Sequence, residues 1–165
     1  MMARSYVVVL LFMALAPPAA AQPLPVNKWA DWSSYGTAGV NVTIGAVDAW
    51  QNERRGCHLA QLLLSEGVGN GTALTVKHYV RSPRPCLGCP PDGMPSAHTM
   101  NGIIGINQAH AASSWKGRVL VGVTTAALTG FLRWQANRHT WEQIGWGALL
   151  GVGAELSGQI IRCDD

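Results

Sequence analysis

Apolar and small residues recur at helical spacing along most of the chain, and no stretch alternates apolar with polar residues as a half-buried strand would. The pattern therefore predicts an all-α protein, a bundle of about five helices. The predicted helical segments are residues 38–52, 57–80, 97–114, 118–135 and 140–162.

Proline and glycine divide these segments. The stretch 82–95 is rich in both, so we expect a loop there rather than a helix. Three glycines in segment 57–80 are expected to break or kink it, namely Gly67, Gly69 and Gly71. Three more in the last segment are expected to let a neighbouring helix pack closely: Gly147, Gly151 and Gly153.

The first residues have the order of an export signal. Arg4 supplies a positive start, an apolar run follows, and small residues at 19–21 provide a cleavage site. We therefore predict a signal peptide over 1–21, with a retained membrane anchor as the alternative. Residues 22–37 contain Pro and Trp without periodicity and are predicted to be an N-terminal arm, which leaves 38–165 as one helical domain.

Charge and cysteine content narrow the function classes. The formal net charge is only +3, which does not favour a nucleic-acid partner, so any positive charge that matters must be concentrated locally. Four cysteines in an exported chain are expected to form two disulfides in an oxidising compartment.

Three short clusters place cations and imidazoles where predicted helices meet loops. Taken singly, each has an ordinary explanation, since a cation at a helix C-terminus complements the helix dipole and a lone histidine is more often structural. The clusters are Lys77 with Arg84-Pro85, then Pro95-Ser96-Ala97-His98, then Arg133 with His139.

Together the clusters resemble the signature of the type 2 phosphatidic acid phosphatase family, which also includes bacterial class A acid phosphatases and vanadium haloperoxidases. That signature reads K-x6-R-P, then P-S-G-H, then S-R-x5-H-x3-D, and this chain is similar to it in order and spacing across residues 38–162. The resemblance implies a helical bundle with the active site at one pole. It also implies metal-independent hydrolysis of phosphomonoesters or diphosphates through a phosphohistidine.

The resemblance implies a role for each matched residue, and phosphoryl-transfer chemistry independently asks for such roles. His139 would attack phosphorus, and His98 would protonate the leaving oxygen and then activate water. The transferring group carries charge on its oxygens, which cations and amide donors would hold without a divalent ion or other cofactor. The phosphate-binding residues would be Lys77, Arg84, Ser96, Ala97 and Arg133.

The chain departs from the signature where Ala97, Leu132 and Gln143 replace Gly, Ser and Asp. Gln143 matters most, because an Asp there would orient the catalytic His139 and stabilise its charged form. A Gln oxygen is still able to accept a hydrogen bond from the ring, but it supplies no charge. Glu142 is either the substitute or a solvated acid in the first turn of a helix. If the position still orients His139, Gln143→Asp is expected to raise turnover, whereas Glu142→Gln is expected to matter only if Glu142 has taken over that role.

Helix placement selects one of the three cysteine pairings that sequence alone permits. Cys57 and Cys163 each lie at the end of a predicted helix opposite its site residues, so both fall at the pole far from the site. We therefore predict a Cys57–Cys163 disulfide and a Cys86–Cys89 disulfide in the loop. A thioredoxin-like role for the C-x-x-C lacks a βαβ context, and a zinc role lacks further ligands.

The predicted location is the periplasm or cell envelope after export. An integral inner-membrane protein is the alternative, because basic residues crowd the pole of Cys57 and Cys163. The predicted partner is a phosphate-bearing substrate, either a membrane lipid or a small soluble phosphoester. Two rival functions stay open: a catalytically weak phosphate-binding protein, because Gln143 replaces Asp, and a vanadate-dependent haloperoxidase.

Overall fold

The computed structural model describes residues 25–51, 54–105 and 115–163, and these residues fold as an all-α bundle. No strand occurs within these ranges, so the predicted fold class is confirmed. The predicted signal peptide lies outside the described residues. The helices are α1 Lys28–Gln51, α2 Arg55–Val80, α3 Ala97–Asn101, α4 Trp115–Gln135 and α5 Trp141–Gly158.

Two pairs of long helices make the bundle, and the short α3 lies between them. Helix α1 packs mainly along α4, α2 packs mainly along α5, and α3 contacts α5, α1 and α4. The main apolar core gathers around α3, where Met100 and Ile104 are fully buried. Each such side chain contributes about 1.5–3 kcal/mol through burial. The other core residues are Leu62, Ala73 and Ala154.

Helix α1 begins at Lys28, so the predicted arm over 22–37 is helical from that residue onward. The tryptophans that made this stretch look aperiodic point outward, since Trp29 is 70% and Trp32 75% exposed. Small and polar residues at helical spacing form the buried face instead, a pattern that hydrophobicity alone does not reveal. These residues are Ala30, Ser34, Ala38 and Asn41.

Helix α2 runs without interruption through Gly67, Gly69 and Gly71, so the predicted break there is wrong. Each glycine costs about 1 kcal/mol in a helix interior, which tertiary packing offsets. Gly69 shows that packing, because a Cβ there would come within 2.9 Å of Ile104 Cδ1.

Of the α5 glycines expected to allow close helix packing, two act as predicted. A Cβ at Gly147 or Gly151 would overlap a backbone carbonyl of Ser96 or Met100, so these glycines let α5 approach α3. Gly153 faces open space instead. The predicted segment 97–114 is helical only over 97–101, and its residues 106–114 lie outside the described part of the chain.

Backbone turns help to bring several helix ends to one pole. Helix α2 stops before Arg81, which has a left-handed backbone (φ 45°), and a proline follows two residues later. Helix α4 stops just before Asn137, which is also left-handed (φ 56°). Helix α5 then begins with a capping box between Thr140 and Gln143. The loop between α2 and α3 covers this pole.

The two predicted disulfides are present. Cys57 at the start of α2 bonds to Cys163 after α5, with their Cα atoms 5.8 Å apart. Cys86 bonds to Cys89 inside the loop, with a Cα separation of 5.6 Å. The predicted pairing is confirmed, and two disulfides are typical of a protein in an oxidising compartment.

Among the described residues, no helix combines the length and apolar character needed to cross a lipid bilayer.

Removing the Cys57–Cys163 bond with Cys57→Ala/Cys163→Ala should lower the free energy of unfolding by about 4–5 kcal/mol. The bond joins residues 106 positions apart, and a longer closed loop removes more entropy from the unfolded chain. Cys86→Ala/Cys89→Ala is the matched control and should cost about half as much. Urea denaturation of both variants measures the difference, and a larger loss in the control would contradict the prediction.

Candidate active site

His139 occupies the centre of the pole, just before α5, and only 1% of its surface is exposed. Its Nδ1 lies 2.7 Å from the carbonyl oxygen of Gly93 and 3.3 Å from Oε1 of Gln143. Both oxygens only accept hydrogen bonds, so Nδ1 carries the proton and Nε2 keeps a free lone pair. Nε2 faces Nη2 of Arg133 at 3.5 Å. The ring therefore has the tautomer that a nucleophile at Nε2 requires.

Three predicted cations converge on this histidine from different elements. Lys77 comes from the end of α2, Arg84 from the loop and Arg133 from the end of α4. Their charges, together with burial as the largest cause, hold the pKa of His139 well below its ordinary value. Asp92 fixes two of the cations. Its carbonyl oxygen accepts from Lys77 Nζ, and its carboxylate accepts from Arg84 Nε at 2.8 Å.

The pKa of Lys77 is lowered towards neutral pH. Burial is the largest cause, and the nearby charge of Arg84 adds to it, so that the pKa of Lys77 falls to about 8. Lys77 is therefore cationic at neutral pH and loses its charge in mildly alkaline solution.

Asp31 on α1 is a site residue that the sequence analysis missed. Its carboxylate accepts from Arg133 Nη1 at 2.5 Å and from Arg138 Nη2 at 2.7 Å. Burial alone would raise the pKa of Asp31, but the hydrogen bonds and charges of the two guanidiniums lower it overall. Asp31 belongs to none of the three clusters. The available signal was that Asp31 is the only acidic residue among residues 1–47.

His98 lies beside these groups in the first turn of α3. Its ring meets the ring of Tyr35 edge to face, with centroids 4.5 Å apart. Burial is the largest cause that lowers its pKa to about 4, and the charge of Arg133 is the next. Asp31 acts in the opposite direction. In the free protein His98 is therefore neutral at pH 7.

Ser96 and Ala97, predicted as neutral phosphate ligands, begin α3. Ser96 is fully buried and is the N-cap of this helix, since its Oγ accepts from Thr99 N at 3.4 Å. Its own N–H donates to the carbonyl oxygen of Gln143 at 2.9 Å. Ala97 is the first helical residue, where a backbone N–H has no partner within the helix.

Gln143 contacts the loop as well as His139. Its Oε1 accepts from Thr140 N at 3.1 Å, and its Nε2 donates to Ser82 Oγ at 2.9 Å and to the Pro83 carbonyl at 2.7 Å. A Cβ at Gly93 would overlap the Gln143 side chain, so the loop lies directly against it. The carboxamide thus fastens the start of the loop to α5.

Glu142, the other candidate for the orienting role, is exposed in the first turn of α5. The structure therefore favours the solvated first-turn interpretation of this acid. Gln143 is the residue of this pair that reaches His139.

Stability should fall as the pH drops from 7 towards 4. The folded protein binds a proton at His98 only near pH 4, whereas the unfolded chain does so near pH 6.5. The unfolded state therefore binds more protons in this window, which costs up to about 3 kcal/mol. His98→Asn should make the unfolding free energy less dependent on pH, as measured by urea denaturation at pH 7 and pH 4.5. An unchanged pH dependence in this variant would refute the assignment.

Comparisons of the chain with protein-family models, with curated proteins and with solved structures found no match. The residues of this pole are therefore the basis on which a function is proposed.

Proposed function

We propose that the protein is a metal-independent phosphatase that hydrolyses a phosphomonoester or diphosphate through a phosphohistidine at His139. One observation carries the proposal: a buried imidazole holds its proton on Nδ1 and presents the Nε2 lone pair beside the guanidinium of Arg133. The resemblance of the three sequence clusters to the type 2 phosphatidic acid phosphatase family supports it.

In the first step, Nε2 of His139 attacks phosphorus and the bond to the leaving oxygen breaks. Lys77, Arg84 and Arg133 hold the phosphoryl oxygens and offset the charge that they carry in the transition state. The N–H of Ala97 and the hydroxyl of Ser96 are the proposed neutral donors. With substrate bound, Nη2 of Arg133 contacts the phosphoryl group in place of Nε2.

His98 transfers the protons in both steps. A bound phosphate dianion offsets the cations that depress the pKa of His98, so the imidazole gains a proton in the complex. The imidazolium protonates the leaving oxygen. The neutral ring then takes a proton from water, which attacks the phosphohistidine and releases phosphate and free His139.

The proposed substrate is a phosphate ester, either a lipid phosphate at a membrane surface or a small soluble phosphoester. The proposed location is the periplasm or cell envelope, in membrane association if the substrate is a lipid. Both disulfides support this location, because reducing compartments do not maintain such bonds.

A catalytically weak phosphate-binding protein is the second candidate. The neutral Gln143 favours it, because an amide does not stabilise the charged form of His139 as an aspartate would. Turnover of a chromogenic phosphoester separates the two functions, since a binding protein retains phosphate affinity without releasing product.

Hydrolysis of p-nitrophenyl phosphate should survive EDTA and be inhibited by vanadate, because cations of the protein hold the phosphoryl group. His139→Ala should lower kcat by at least about 10³-fold, since the nucleophile is lost. His78→Ala, a change at an exposed histidine on α2, is the matched control and should retain activity. If chelation abolished activity and zinc or magnesium restored it, the proposed mechanism would be wrong.

Gln143→Asp should lower turnover by about tenfold or more, which reverses the effect expected from sequence. The shorter carboxylate has no N–H to donate to Ser82 Oγ and the Pro83 carbonyl, so the loop loses its attachment to α5. Glu142→Gln should leave kcat unchanged. Steady-state kinetics of both variants provides the measurement. Higher turnover in Gln143→Asp would show that a negative charge beside His139 matters more for turnover than the contacts between Gln143 and the loop.

A further inference from the structure

Asp31 stands between two guanidiniums at the edge of the site. It lies in the first turn of α1, and its side chain is only 13% exposed. Oδ1 accepts from Arg133 Nη1 and Oδ2 accepts from Arg138 Nη2, so both carboxylate oxygens are engaged. An ion pair with this burial and this geometry holds its partners in place more firmly than an exposed pair does.

Arg133 uses its two terminal nitrogens for different partners. Nη1 contacts Asp31 and also donates to Ser34 Oγ at 3.2 Å, while Nη2 faces His139 Nε2 at 3.5 Å. A guanidinium is planar and rigid, so fixing one terminal nitrogen fixes the direction of the other. The α1 partners therefore determine where Nη2 points.

Arg138 extends this arrangement to the loop. Its Nε donates to Asp31 Oδ1 at 3.1 Å, and its Nη1 lies 3.3 Å from Sγ of Cys89 in the loop disulfide. Asp31 thus connects α1, the end of α4 and the covering loop through one carboxylate.

We propose that Asp31 is a positioning residue for phosphoryl transfer: its carboxylate aims the Arg133 guanidinium at the reacting group beside His139 Nε2. This inference rests on the proposed function. Phosphoryl transfer depends on placement as much as on charge, and small displacements of a stabilising group lower the rate by about 10²-fold. Asp31 also reduces the net positive charge of the site, so its loss and the loss of a phosphate ligand have opposite effects on anion binding.

The charge of Asp31 also acts on His98. It raises the pKa of His98, whereas burial and the three cations lower it. Removing the carboxylate should therefore shift the His98 titration further towards acid. The charged and titratable groups around His98 are Asp31 and Tyr35 from α1, Lys77 from α2, Arg84 from the loop and Arg133 from α4.

The first experiment compares Asp31→Asn with Glu142→Gln in the full chain, with p-nitrophenyl phosphate as substrate. Both variants remove one negative charge at the same pole, but Glu142 is exposed in the first turn of α5. Asp31→Asn should lower kcat at least tenfold without raising KM, because the cation remains but is no longer aimed. The control should change neither constant. A raised KM, or an unchanged kcat, would overturn the positioning role.

The second measurement follows the His98 ring by NMR during a pH titration without substrate. Its midpoint should move to lower pH in Asp31→Asn and stay in place in Glu142→Gln. The shift reports whether the Asp31 charge acts on the site in the folded protein, so an unmoved midpoint counts against the proposal. This readout needs no turnover. Absence of phosphatase activity in the wild-type chain would refute the proposed function and leave the titration to test Asp31.

Asp31→Glu keeps the proposal testable if Asp31→Asn does not fold. The extra methylene retains the charge but displaces the carboxylate from Arg133. The His98 midpoint should then stay near the wild-type value while kcat falls at least tenfold. Wild-type kcat in Asp31→Glu would show that Arg133 does not need to be aimed and would overturn the inference.

Discussion

The bundle and its site depend on one buried guanidinium. Arg133 is only 2% exposed, and burial of an unpaired charge costs several kcal/mol. Asp31 supplies the counter-charge at 2.5 Å, and Ser34 supplies a further acceptor. Both partners belong to α1, whereas Arg133 belongs to α4, so this pair sets how the two helices face each other at the site pole. The charge that the proposed phosphate site needs is therefore also a constraint on the fold.

Further along α1 and α4, hydrogen bonds between polar groups connect the helices in place of an apolar interface. Asn41 Nδ2 donates to the Gly102 carbonyl and to Thr125 Oγ1, and Thr129 Oγ1 donates to Thr37 Oγ1 at 2.9 Å. Buried polar groups are stable only when they are hydrogen-bonded, so these contacts demand one register between α1 and α4. Small side chains on α1 allow the close approach, and the same register brings Asp31 level with Arg133.

The loop that covers the site contributes through its backbone. Prolines prevent it from becoming helical, which leaves its carbonyl groups without helical partners. The Gly93 carbonyl accepts from His139, and the Pro83 carbonyl accepts from Gln143. The Cys86–Cys89 disulfide closes the intervening turn. The N-cap of α5 at Thr140 and the loop together fix the position of His139 Nδ1.

The sequence alone determined the features that depend on neighbours along the chain. Helical spacing predicts the long helices, proline predicts the loop, and helix polarity predicts that Cys57 pairs with Cys163. It also places cations and imidazoles at helix ends, where the structure brings them to one pole. The start of α1 was missed because its buried face is small and polar, and the helical break in α2 was wrong because packing outweighs glycine propensity.

Only the tertiary structure decided the partners of these residues. Arg133 meets Asp31 across 102 positions, and Gln143 meets Ser82 across 61, and no local pattern encodes such separations. The sequence predicts that Gln143 is an altered orienting residue, yet the hydrogen bonds that it donates to the loop depend on where two distant backbones pass. Hydrogen bonds act over about 3 Å, so their assignment requires the packed helices.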